Sequence, residues 1–307
     1  MRNRLFATQL AVIINAFIAL IPVTITVPAF AAPITLDTAL PVARGEGLLK
    51  IQSIYMRSTR DPTSMDRSLA VWAFPFVIGY GVTEKLALFG IFPILDKKID
   101  ISTPAGRISR GDTGLGDSTF ITRYTAWKRD WSAETMRIAP FVALKVPTGK
   151  DDKTDGQGPL PQPIQLGSGS WDPALGIVAT WQTLNRQIDA SVSYAFKTEA
   201  NDFQFGDVAR LDVSYQHRLL PRELGEGVPG FVYGVLESNL IREDKSRVGG
   251  VKDNDSGGTT WYLTPGVEYV TKRLVVEAAV QVPVVQELNG NALENDYVVI
   301  LGIRGNF

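Results

Sequence analysis

The chain contains no cysteine. Disulfides, thiolate metal sites, a cysteine nucleophile and a lipid anchor on an N-terminal cysteine are therefore excluded. It has one histidine, His217. Neither charge dominates: 31 Lys and Arg stand against 32 Asp and Glu, a net charge of -1, which argues against a nucleic-acid partner. After the first residues, no stretch stays apolar for the roughly 18 residues that a spanning helix needs. If the chain enters a membrane, it must do so as strands.

What is present begins with an export pattern. Arg2 and Arg4 form a positive start, Leu10 to Leu20 is apolar apart from Asn15, and Ala29-Phe30-Ala31 offers a small-x-small cleavage site. Residues 1–31 are predicted to be a signal peptide cut after Ala31. A transmembrane anchor is the alternative, opposed by Pro22, Pro28 and the shortness of the apolar run. At the other end, Tyr297, Val299, Leu301, Ile303 and Phe307 share one parity, and Gly302, Arg304 and Asn306 the other. A strand puts alternate residues on opposite faces, so this segment has one apolar and one partly polar face. It looks like the closing strand of an outer-membrane barrel; the alternative is a half-buried strand ending a soluble domain.

Between these ends, residues 32–47 read as an irregular lead-in. Alternation and turn residues then predict twelve strands: Leu48–Arg57, Leu69–Val82, Lys85–Leu95, Gly116–Trp127, Thr135–Pro147, Asp172–Gln182, Gln187–Thr198, Val208–Leu220, Gly230–Ile241, Thr259–Val270, Arg273–Val285 and Tyr297–Phe307. Short connections alternate with long ones, except at Pro221 to Pro229. Tight turns on one rim and longer loops on the other suit an antiparallel transmembrane barrel; a β-sandwich has no reason to keep this parity. The expected fold is all-β: one up-and-down antiparallel barrel of about twelve strands over residues 48–307.

The second parity carries Lys50, Arg123, Arg137, Lys145, Asp189, Arg210, Asp212, Arg218, Glu237, Glu268, Glu277 and Arg304. A dry interior does not tolerate so many charges, so they are expected to line a wet pore or pair in a network. Their mixed signs indicate no ion preference. Pro75, Pro93, Pro140, Pro265 and Pro283 fall inside the strands and are expected at bulges or run ends, because proline cannot donate a ladder bond.

Gly114-Leu115-Gly116-Asp117 before the fourth strand and Val146-Pro147-Thr148-Gly149 after the fifth resemble steps in the outer-membrane transporters grouped with the meta-pathway phenol-degradation proteins. The signal peptide and terminal Phe307 are similar too. The resemblance implies an outer-membrane barrel admitting small hydrophobic or aromatic compounds. It brings no catalytic residue.

Other chemistries remain to be weighed. His217 could serve as base for a serine in a phospholipase-like barrel hydrolase, but its parity places it towards lipid. Ser214 lies on the opposite face, which leaves a neighbouring-strand serine such as Ser238. The loops Asp151 to Gly156 and Asp253 to Gly257 are acidic, yet neither completes a calcium-binding pattern. Gly106 to Gly111 lacks the spacing and lysine of a phosphate loop; its basic character suggests contact with lipopolysaccharide phosphates. Residues 148–171, with Pro159, Pro161 and Pro163, are long and stiff enough for a lid or constriction. The expected function is passive passage of small solutes through the outer membrane, without cofactor, metal or enzymatic activity. The expected partners are outer-membrane lipid, lipopolysaccharide and the barrel-assembly machinery, the last through the strand ending at Phe307. The alternatives are a barrel hydrolase and a structural or adhesive barrel.

Overall fold

A computed structural model describes residues 32–223 and 230–307. The expected signal peptide, residues 1–31, lies outside the described residues, as does most of the link between the eighth and ninth strands. Twelve strands form the wall: β1 (Gly47–Ser58), β2 (Ser68–Gly81), β3 (Leu86–Thr103), β4 (Ser118–Tyr124), β5 (Glu134–Val146), β6 (Asp172–Thr183), β7 (Arg186–Ala195), β8 (Val208–Leu220), β9 (Phe231–Glu243), β10 (Gly258–Val270), β11 (Leu274–Leu288) and β12 (Tyr297–Asn306). Each pairs antiparallel with the next, and β12 pairs with β1 through Ile303 opposite Ile51, so the sheet closes without a free edge.

The outer face follows from the alternation. Leu88, Phe120, Val142, Leu175, Val192, Leu211, Leu236, Val276 and Leu301 are all exposed. So large an apolar band is suited to lipid, not to water. Aromatic rings cluster at the loop-bearing end, with Tyr55 against Trp72 at 4.6 Å and against Tyr297 at 6.3 Å. Tyr80, Tyr124 and Tyr269 mark the end with the tight turns.

Two hairpins extend the wall where loops were expected. β3 runs past the barrel and pairs with residues 106–115 through Ile94 opposite Leu115 to Thr103 opposite Gly106. The predicted loop 96–115 is therefore largely strand. Its charges at Asp96, Lys97 and Lys98 suggested a loop, but beyond the lipid both faces of a strand can be polar. At the other rim, Trp127–Trp131 pairs with the start of β5, so Trp127 is not part of β4. Ala133, at φ 64°, makes that turn.

Three of the five strand prolines lie at irregularities. Pro93 sits where β3 changes partner from β4 to residues 106–115. Pro140 faces the break between β4 and Trp127–Trp131, and Pro283 adjoins a register shift opposite Trp261 and Tyr262. Pro75 and Pro265 differ from the expectation: their strands keep register on both sides, and the ladder simply lapses beside them. A wide sheet can lose one bond locally without bending.

Candidate functional site: the barrel lumen

Residues 32–46, the irregular lead-in, run inside the barrel. The proof is that one short segment is bonded by strands from every side of the wall. Glu237 on β9 accepts hydrogen bonds from the Ile34 amide (2.7 Å), the Thr35 amide (3.0 Å) and the Thr35 hydroxyl. Lys50 and Gln52 on β1 donate to the Ile34 carbonyl at 3.3 and 3.1 Å. Thr180 on β6 accepts from the Ala39 amide at 2.7 Å. Arg123 on β4 pairs with Asp37 and donates to the Leu40 carbonyl at 2.9 Å. No regular ladder is available to this segment, so polar side chains of the wall satisfy its backbone. At the tight-turn rim it passes Gly81, where an added Cβ would lie 2.0 Å from the Ala43 carbonyl oxygen. Only glycine admits that approach.

The wall is two-faced. On β7 to β10 most inward side chains are polar and closely covered: Asp189, Ser214, Gln216, Glu237, Asn239, Thr264 and Glu268 have no exposed surface to speak of, with Val235, Tyr262 and Val270 buried among them. Asp189 bonds Thr180 (2.5 Å) and Gln187 (2.8 Å), and Asn239 bonds Thr35 and Asp212 at 2.9 Å each. On β2 and the adjoining part of β3 the inward side chains are apolar, and on β4 and β5 apolar side chains alternate with Arg123, Arg137 and Lys145. Val71, Ala73, Pro75 and Val77 face Met56, Ile54, Gln52 and Lys50 across β1, and Ile91, Pro93, Ile121, Phe141 and Ala143 continue the surface. Cross-strand partners share a face, so these residues point inwards. They are nonetheless half-exposed. In a closed barrel that exposure can open only into the lumen. The N-terminal segment thus bonds β1, β4, β6 and β9 and packs Ala39 beside Ala139 and Phe141, while the inward side chains in the middle of β2 stay half-exposed beside it.

The loop-bearing mouth is covered by residues 147–171, with Leu160, Ile164 and Leu166 buried. This cover is bolted to the projecting hairpin. Arg110 makes a two-pronged pair with Asp155 (2.8 and 2.9 Å) and reaches the Gly158 and Pro159 carbonyls. Its bonds hold the Asp155 carboxyl below the usual carboxylate range. Lys97 donates to the Pro163 and Gln165 carbonyls at 3.1 and 2.6 Å, and Lys153 pairs with Asp112 at 3.3 Å. Arg107 is occupied by Asp66 at 2.5 Å. The basic stretch 106–111 is therefore engaged within the protein, which accounts for its charge without lipopolysaccharide.

The twelve candidate charges fall at different places. Arg123, Glu237 and Lys50 hold the N-terminal segment, and Lys50 also pairs with Glu277 at 3.0 Å. Asp189 and Asp212 support it through neighbours, with Arg210 on Asp212 at 3.1 Å. Lys145 lies under the cover, paired with Asp172 (2.7 Å) and Asp117 (3.3 Å). Arg137 pairs with Asp130 at 2.6 Å near the tight-turn rim, and Arg218 stacks over Phe231 at 5.5 Å. Glu268 is buried on β10, and Arg304 is part-buried on β12. Much of the interior is thus a network of paired charges that braces a peptide, and Glu268 and Gln216 are buried beside it without a hydrogen-bond partner among the described residues. The apolar wall had one signal in the sequence: β2 is apolar on both parities, which a water-lined strand has no cause to be.

His217 lies outside this network, stacked near Tyr215 on the outer face. It pairs across strands with Gly234, four residues from Ser238, or about 13 Å along β9. Ser238 accepts instead from the Trp261 indole at 2.8 Å. These two residues do not form a catalytic pair.

A family model described as "Putative MetA-pathway of phenol degradation" matches residues 64–286. The chain belongs to this family. Among solved structures, an outer membrane channel from Pseudomonas putida F1 is similar over 91% of this chain and 100% of its own, with TM-score 0.67 and 12% identity. That likeness shows that the phenol-degradation family member has the barrel fold. The beta domain of the Bordetella autotransporter BrkA covers 86% of the chain and 100% of its own, at TM-score 0.45 and 11% identity. No curated protein matches the sequence.

Proposed function

We propose that this protein is an outer-membrane channel through which small hydrophobic or aromatic molecules enter passively, and that it is not an enzyme. The observation that carries this reading is the two-faced lumen. The N-terminal segment bonds part of the polar wall, and the half-exposed inward side chains of Val71, Ala73, Pro75 and Val77 of β2 and Ile91 and Pro93 of β3 line what it leaves uncovered. An apolar surface offers a hydrophilic solute nothing in return for its lost hydration, whereas an apolar solute gains by covering it. Family membership and the barrel fold agree with a channel. Export by residues 1–31 and assembly through the strand ending at Phe307 belong to the same proposal, with the twelve inward charges serving to line and brace the pore.

The test is uptake by cells whose other channels are deleted. Expression should raise the initial uptake of a radiolabelled neutral aromatic several-fold, and that of a sugar of similar size far less. Val77→Asp should reduce the aromatic rate and spare expression. Equal stimulation of both solutes, or none of the aromatic, would refute the proposal.

A further inference from the structure

Beneath the cover lies a cavity of about 300 Å³, near the lower end of the size range of small-molecule sites. Its lining combines three ammonium groups, Lys97, Lys145 and Lys197, with the apolar side chains of Leu166 and Phe205. Three carboxylates line it as well, and two of them, Asp172 and Asp117, are held by bonds within the protein. Asp172 accepts from Lys145 (2.7 Å) and Lys197 (3.2 Å), and also from the Ser170 hydroxyl and the Thr198 amide. Asp117 is held by Lys145 and by the Gly149 and Ser168 amides. Glu243 is the third, with Lys197 and Arg210 as its nearby cations.

Lys97 stands apart. Its hydrogen-bond partners in the fold are the two neutral carbonyls of Pro163 and Gln165, and among the described residues no carboxylate forms an ion pair with it. Its position is as telling as its charge. On β3 it continues the inward column of Ile91, Pro93 and Leu95, and it faces Val71 across β2. A cation thus sits at the top of the apolar wall, beside a cavity that is itself part apolar.

Resting on the channel reading above, we infer that this cavity is an entry site for amphipathic organic anions. The carboxylate of such a solute would pair with Lys97, with Lys145 and Lys197 close by, and its apolar body would lie along Leu166 and the column below. An ammonium has three donors, so a carboxylate can take the third without displacing both carbonyls. A neutral solute would lose this charge-assisted bond, and an organic cation would meet the like charge of Lys97.

The test uses benzoate, benzyl alcohol and benzylamine as probes of one shape and three charges. Binding to the detergent-solubilised protein is followed by calorimetry, and ionic conductance is recorded in planar bilayers. Benzoate should bind at least about tenfold more tightly than either other probe, the factor expected for one charge-assisted bond. Lys97→Gln should remove that preference, and Lys97→Arg should keep it within about threefold. Because Lys97 also ties down the cover, Lys197→Gln provides a second variant; it should weaken benzoate severalfold with the cover's bonds intact. Benzyl alcohol binding as tightly as benzoate, a preference for benzylamine, or full benzoate affinity in Lys97→Gln would each overturn the inference. Conductance separates the two readings. A protein that conducts but does not favour benzoate refutes the anion site alone. One that neither conducts nor admits any solute refutes the channel.

Discussion

Replacing Glu237 should loosen the N-terminal segment and open the lumen. This carboxylate has no exposed surface and accepts three bonds from Ile34 and Thr35. Bonds to a charged group contribute about 1.5–3 kcal/mol each. Water entering the vacated site recovers part of that, so Glu237→Ala should cost the held state about 2–4 kcal/mol. At about 1.4 kcal/mol per factor of ten, the released population rises roughly thirty- to seven-hundred-fold. The release stays local, because Asp37 on Arg123 and Ala39 on Thr180 still anchor the segment further along. Single-channel recording of the mature protein gives the readout. Glu237→Ala should show frequent excursions to a larger conductance, and Glu237→Gln fewer, since the amide keeps one acceptor. A chain starting at Gly47 should hold the larger conductance permanently. If all three traces match the wild type, the segment does not control the pore and the reasoning fails.

Other outcomes follow from the same geometry. Arg110→Ala removes the pair with Asp155 and two carbonyl bonds, so trypsin should cut at Lys150 or Lys153 on the order of tenfold faster, consistent with about 1–2 kcal/mol of lost retention. His217→Ala should leave conductance unchanged and abolish no hydrolytic activity; loss of a lipase activity would revive the hydrolase reading. In the loop after β1, burial pushes the Asp61 carboxyl up, but its bonds from Arg67 and Thr63 outweigh that and hold it well below its ordinary value. The folded loop then binds this proton less readily than the unfolded one. Its contribution is full above the ordinary value of 3.8 and fades as pH falls towards the folded value. Hydrogen exchange of residues 59–67 should therefore stay protected at pH 4, and Asp61→Asn should lose protection at neutral pH.

Much of the barrel was legible because period-two alternation is a local property. β8 shows it plainly: Leu211, Val213 and Tyr215 are exposed outwards, while Asp212, Ser214 and Gln216 are buried inwards. Loop-length parity supplied the closure. The lumen was less legible, because its character depends on what crosses it. Nothing in Ala32 to Glu46 announces that its amides will be satisfied by Glu237, some two hundred residues away in the chain. The inward charges looked like solvated pore lining for the same reason: alternation fixes which way a side chain points, not what it meets. The hairpin extension of β3 was hidden because a strand beyond the lipid has no need of an apolar face. The one clue left unread was β2, whose second apolar parity marked the side of the bore that the peptide does not cover.

The absence of cysteine permits a direct test of the segment's position. Thr35 and Asn239 are joined by a side-chain bond of 2.9 Å, so Thr35→Cys with Asn239→Cys places two thiols within reach across the lumen. In intact outer membranes, mild oxidation should link them nearly completely, reduce conductance excursions and shift the unheated protein's gel mobility, all reversed by reductant. Failure of the pair to cross-link, with Thr35→Cys instead open to a bulky thiol reagent added from outside, would place the segment elsewhere and contradict the account.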